Sequence, residues 1–206
     1  MTTRIVIISA GLSVPSSTRI LADSLGSATQ RALSALGQDS EVEVIELRDL
    51  AHLITDNQLT GFPTGALSEA VRRVAEADAV IAVTPVFSAS YSGIFKSFFD
   101  VLEDGTLEGK PVLVAATAGT ARHSLVLDFA MRPLFAYLRA DVVPTGVFAA
   151  SSDFGAGSTV SGGSLSARID RAAGELADQV LRRGTALPDD PFANPTPFED
   201  LLNGQS

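Results

Sequence analysis

Residues 6–25 read "VIISAGLSVPSSTRILADSL". An apolar run opens the stretch, Leu21 and Leu25 recur at helical spacing at its end, and Ser9, Gly11, Ser13, Ser16, Ser17 and Thr18 lie between. A run without polar alternation suits a central strand covered on both faces, and a helix stopped by Gly37 suits a crossover behind it. That strand–turn–helix unit recurs down the chain. "RIVIISA" (4–10), "AVIAVTP" (79–85), "PVLVAAT" (111–117) and "DVVPTGVFA" (141–149) are apolar runs, whereas "EVEVIEL" (41–47) alternates as an edge strand does.

Five helical stripes separate or follow these runs. They are Leu21, Leu25, Ala28, Ala32 and Leu36; Leu67, Val71 and Val74; Ile94, Phe95, Phe98 and Leu102; Leu127, Met131, Leu134 and Leu138; and Leu165, Ile169, Ala173, Leu176 and Val180. Strand–helix alternation implies right-handed crossovers and a doubly wound α/β sheet, whose ligands bind beyond the carboxyl ends of the strands. After Gly184 the composition turns to Pro and Asp, so residues 1–184 read as the domain and 185–206 as an extended tail. Phe192 and Phe198 are its candidate anchors, either on a partner or in a strap over the chain's own domain.

Composition narrows the chemistry. With 206 residues and 46% hydrophobic content, the chain can bury one α/β core. A net charge of −9 without a basic stripe argues against nucleic acid and anionic membrane as partners. There is no cysteine, which removes disulfides, thiol catalysis and cysteine-ligated metals, and His52 and His123 lack metal-ligand spacing. No apolar run reaches membrane-spanning length and no signal-peptide pattern is read at the N-terminus, so a cytoplasmic location is expected.

Three loops could carry a ligand. In the first, Ser9, Ser13, Ser16, Ser17 and Thr18 surround a helix N-terminus, which attracts phosphate through unpaired N–H groups. One hydroxyl would suffice for an N-cap, and five favour a phosphate. Neither GxGxxG nor GxxxxGK[ST] is present, which leaves a mononucleotide. The second, "TPVFSASYSGIFKSFFD" (84–100), brings Phe87 and Tyr91 to the rim of the sheet. It suits either a planar heteroaromatic ring or an aromatic-capped turn with Ser90 or Ser92 as helix cap. The third, "ATAGTARHS" (116–124), permits close approach to a flat ligand around Gly119. Pro133 clashes with the carbonyl of Phe129, so a kink or π-bulge is expected there. His123 reads as a cap or packing group, and Lys96 and Asp100 as structural or subunit contacts.

Together "GLSVPSSTRILAD", "TPVFSASYSGIFKSFFD" and above all "GKPVLVAATAGTARHSLVLDFAMRPLFAYLRADVVPTGVFA" resemble the NAD(P)H-dependent FMN reductases of the flavodoxin-like fold. The likeness is strongest to the reductase components of two-component monooxygenases of the alkanesulfonate and methanesulfonate type. "PSSTR" and "DDPFANPTPFEDLL" suggest reductases paired with luciferase-like monooxygenases. The resemblance implies five parallel strands in the order 2-1-3-4-5 with helices on both faces. It implies FMN and NAD(P)H as ligands, with phosphate around Ser9, Leu12, Ser13, Ser16, Ser17 and Thr18. The isoalloxazine would lie against Pro85, Val86, Phe87, Ser90 and Tyr91, with Thr117, Ala118 and Gly119 on its other edge. Ser17 stands where several relatives carry Arg, and Arg19 lies two residues on. Phe129 stands where flavin-transferring relatives often carry Tyr or His in a π-bulge.

The resemblance implies hydride transfer from nicotinamide to flavin N5, with no catalytic acid or base and no metal. It further implies a homodimer or homotetramer, to which the apolar "IFKSFF" would contribute, and a partner monooxygenase that takes the reduced FMN. The alternatives are a reductase of quinones or azo dyes that holds its FMN, a flavodoxin-like electron carrier, and a ligand-free assembly domain.

Overall fold

In the computed structural model, which describes residues 2–154 and 164–184, the apolar runs form one sheet. Its strands are β1 (Thr3–Ser9), β2 (Ser40–Glu46), β3 (Ala79–Phe87), β4 (Ser90–Tyr91), β5 (Pro111–Ala118), β6 (Asp141–Val142) and β7 (Val147–Ala150). The order is β2-β1-β3-β5-β6, with β7 also on β5, and every pairing is parallel except the β3–β4 hairpin. With β6 and β7 counted as one position, this is the expected doubly wound order, and alternating β2 sits at the edge.

Two cores flank the sheet because successive side chains of each strand point to opposite faces. Ile5 and Ile7 of β1 pack under α1 (Ser17–Ala35) and α6 (Leu165–Arg183), together with Leu25, Leu33, Leu176 and Val147. Val6 and Ile8 face the other layer, built by α2 (Ala51–Thr60), α3 (Gly65–Glu76), α4 (Gly93–Phe99) and α5 (Arg132–Tyr137). α1 lies so close to the sheet that a Cβ on Gly26 would stand 2.7 Å from Ile7 Cδ1. At the amino end, buried Lys110 donates to the last-turn carbonyls of α3, Val74 O at 2.6 Å and Ala75 O at 2.8 Å. No helix among the described residues is long and apolar enough to cross a membrane.

The structure departs from the sequence reading at particular places. The expected strand 141–149 breaks between β6 and β7, because Pro144 lacks the N–H a ladder needs. Side chains take over there: Arg132 donates to Val143 O (3.1 Å) and Pro144 O (2.5 Å), and Thr145 N donates to Glu175 at 2.7 Å. α2, for which no stripe was read, buries only Ile54 and Asn57. "IFKSFF" is not a free subunit surface: Phe95, Phe98 and Phe99 are buried, and Phe99 meets Phe95 and Phe135 at ring separations of 4.8 and 4.9 Å. The helix carrying it ends at Phe99, short of Leu102. Leu36 leaves its stripe as the half-exposed C-cap of α1. The expected irregularity before Pro133 is a π-helical turn, Leu127–Met131, running into α5. The tail, with Phe192 and Phe198, lies outside the described residues.

Candidate functional site

The carboxyl ends of β1, β3 and β5 deliver the three loops to one edge of the sheet. Ser9 ends β1, in register with Glu46 on β2 and Val83 on β3. It points to the α1 face, as do Ile5 and Ile7. Its hydroxyl is sealed from solvent and has no hydrogen-bond partner among the described residues. An unpaired buried hydroxyl costs about 1–3 kcal/mol, which sets Ser9 apart from the other hydroxyls of this loop.

Above Ser9 the turn is tightly closed. Ala10 N donates to Val83 O at 2.9 Å, and Ser16 Oγ caps α1 by accepting from Arg19 N at 3.2 Å. A Cβ on Gly11 would lie 2.1 Å from Ser16 Oγ and 3.1 Å from Thr18 Cβ, so only glycine lets the chain pass beneath the cap. Ser16 and Thr18 are buried, while Leu12, Ser13 and Ser17 are exposed. Thr18 Oγ1 meets Thr117 Oγ1 at 2.8 Å in a buried contact, joining the first loop to the third. Either hydroxyl can be the donor in that pair.

The second loop is a hairpin. Phe87 pairs with Ser90 and Val86 with Tyr91, and Ser88 (φ 49°) and Ala89 (φ 69°) turn it in the left-handed region. Two such residues make the tight turn whose twist matches paired strands, although Ala89 takes a conformation glycine or asparagine adopts more cheaply. The hairpin leaves Phe87 exposed at the rim and half-buries Ser90 and Tyr91. Ser92, not Ser90, caps α4, accepting from Phe95 N at 3.4 Å, while Ser92 N donates to Thr84 Oγ1 at 3.0 Å. Pro85 stands beside Thr117 across the β3–β5 ladder, so the second and third loops start side by side. Thr117 is buried, Ala118 is half-buried and Gly119 is exposed.

Past Gly119, His123 is exposed in a short 3₁₀ turn, Ala121–His123. Phe129 projects from the π turn at 78% exposure. Lys96 and Asp100 pair along α4 at 2.5 Å.

The cations near the first loop are already engaged. Arg19 bonds Asp23 at 2.8 Å and also Glu46. The hydrogen bond to Asp23 first, and that to Glu46 with it, raise its pKa further. Arg48, which the sequence reading passed over, lies in the 3₁₀ turn Leu47–Leu50 after β2. It bonds Glu46 at 2.7 Å and donates to Ser13 O at 3.3 Å. The alternation of β2 signals that Glu46 faces the α1 layer, and no spacing rule brings Arg48 to Ser13.

Hydroxyls, a helix N-terminus and a glycine-bound turn at one strand end, beside an aromatic hairpin and a small-residue loop, suit a flat phosphorylated ligand. Residues 3–155 match the family described as NADPH-dependent FMN reductase. The chain is 36% identical over 153 residues to an FMN reductase (NADPH) of Pseudomonas aeruginosa, spanning 73% of this chain and 78% of that protein. It is 37% identical over 171 residues to the NADH-dependent FMN reductase SfnE of Pseudomonas putida, spanning 82% and 88%. An oxidoreductase from Corynebacterium diphtheriae has the same fold with a TM-score of 0.83 at 47% identity, over 89% of this chain and 99% of that one. The matched region begins with β1 and takes in all three loops, and on that ground the chain belongs to the family of NADPH-dependent FMN reductases.

Proposed function

We propose that this NAD(P)H:FMN oxidoreductase treats FMN as a diffusible substrate and passes the reduced flavin to a partner flavin-dependent monooxygenase. The observation that carries the flavin site is the buried, unpartnered Ser9 hydroxyl beneath a turn too crowded for any residue but glycine at position 11. Bound FMN supplies one thing, acceptance of the nicotinamide's hydride at N5.

The chain's residues hold and align. Ser9, Ser13, Ser16, Ser17 and Thr18 donate to the phosphate, Ser16 keeping its proton for that purpose while its oxygen caps α1, and Leu12 covers the turn. Pro85, Val86, Phe87, Ser90 and Tyr91 form the wall for the ring. Thr117, Ala118 and Gly119 present backbone N–H groups to its other edge. Alignment of two bound reactants is worth up to about 7–11 kcal/mol of barrier, and the step needs no acid or base from the protein.

Release of the flavin is favoured by an open rim at the first two loops, where Leu12 and Phe87 are 52% and 48% exposed. The test is NAD(P)H oxidation at 340 nm with FMN varied. The expected result is a colourless protein whose rate saturates in added FMN. A yellow protein whose rate ignores added FMN would overturn the transfer reading in favour of a reductase that keeps its flavin. Running both nicotinamides side by side settles coenzyme preference, on which the two Pseudomonas relatives differ by name.

A further inference from the structure

Glu46 occupies an odd position for a site that is to receive a phosphate. It ends β2 directly beside Ser9 and faces the α1 layer whose N-terminus forms the turn. Its side chain is only 14% exposed, and both oxygens are used: Oε1 by Arg19 and Oε2 by Arg48 at 2.7 Å. Arg19 is shared with Asp23 at 2.8 Å, and Arg48 leans towards Asp49 at 3.6 Å. Arg48 Nη1 also touches the turn itself, donating to Ser13 O at 3.3 Å. Around the turn, therefore, stand two guanidiniums and three carboxylates. The sealed Ser9 hydroxyl independently marks the same place as one that lacks an acceptor.

A site built for tight phosphate capture presents uncommitted guanidinium forks, which bind phosphate through two charge-assisted bonds. Here those forks are turned onto a carboxylate of the protein. We propose that Glu46 is an internal competitor for the FMN phosphate: it holds Arg19 and Arg48 when the turn is empty and must be displaced or tolerated when the phosphate is bound. It thereby weakens flavin binding enough for the reduced product to leave. The inference rests on the FMN reading of the first loop and gives that reading a physical cause for release. An arriving phosphate carries close to two negative charges, and a carboxylate beside the turn repels them. Glu46 opposes the phosphate directly and also through the arginines it neutralises.

The experiment compares FMN with riboflavin, which has the ring and no phosphate. Dissociation constants are measured by flavin fluorescence on the full chain and on Glu46→Gln and Arg48→Gln, with thermal melts to establish folding. Glu46→Gln is expected to bind FMN about tenfold more tightly, with riboflavin changed less than twofold. Arg48→Gln is expected to lose FMN affinity by a similar factor, again sparing riboflavin. A Glu46→Gln protein whose FMN affinity is unchanged or weaker, while the parent chain prefers FMN over riboflavin, would overturn the proposal and leave Glu46 a structural ion-pair residue. A parent chain that binds the two flavins equally would overturn the phosphate reading of the turn and this inference with it. If Glu46→Gln does not fold, Glu46→Ala takes its place: tighter FMN binding with riboflavin unchanged supports the inference, and unchanged or weaker FMN binding sinks it.

Discussion

At the scale of single residues, the site depends on contacts that admit little variation. Gly11 passes beneath Ser16 Oγ with no room for a methyl group. In Gly11→Ala the serine must leave its cap, which costs about 1 kcal/mol for a lost helix cap, and the hydroxyls of the turn lose their arrangement. The expected outcome is a melting temperature lower by a few degrees with FMN affinity reduced at least tenfold, read by thermal melt and flavin fluorescence on the same sample. The crowding of hydroxyls at residues 9–18 was legible in the sequence because small donors cluster where a strand meets a helix. The partners of those residues were not. That Thr18 reaches Thr117, and that Arg19 and Arg48 share Glu46, follows from strand order and register, which no local pattern encodes.

At the scale of elements, legibility tracked how much of each segment is buried. β1, β3 and β5 are covered on both faces and stand where continuous apolar runs were read. α2 buries two residues and left no stripe, while the fifth run hid an interruption that only Pro144 hinted at. Lys110 shows how one element is closed by another. From the start of β5 it donates to the last carbonyls of α3, and burial pushes its amine down to about 8. A neutral amine still has two protons, enough for both carbonyls, so the bonds outlast deprotonation. The unfolded chain, with an ordinary lysine, holds its proton to about pH 10.5, so between these values the unfolded state binds more protons and stability rises with pH. Urea unfolding of the parent and of Lys110→Met from pH 7 to 10.5 reads this directly. The stability difference between them is expected to move in the parent's favour by up to about 3 kcal/mol across the window, and to stay flat below pH 8.

At the scale of the whole molecule, the doubly wound plan was legible because alternation of strand and helix leaves few topologies open. The expected contribution of "IFKSFF" to a subunit contact was misplaced, since Phe95, Phe98 and Phe99 belong to the core. The large apolar side chains left in solvent include Leu125, Phe129 and Tyr137, at 61%, 78% and 84% exposure. Through them a homodimer or homotetramer is expected by size-exclusion chromatography with light scattering, and Phe129→Asp is expected to move the chain towards monomer without lowering its melting temperature. The interrupted fifth position has a different consequence. An unbroken outer strand offers a neighbouring chain a row of free backbone donors and acceptors, which is how sheets recruit one another into aggregates. On this flank the row stops at Pro144, and Arg132 and Glu175 have taken the groups on either side of it. The opposite flank, β2, presents Glu41 and Glu43. The sheet is thus interrupted at one margin and carries charge at the other, two features that oppose its extension by a neighbouring chain.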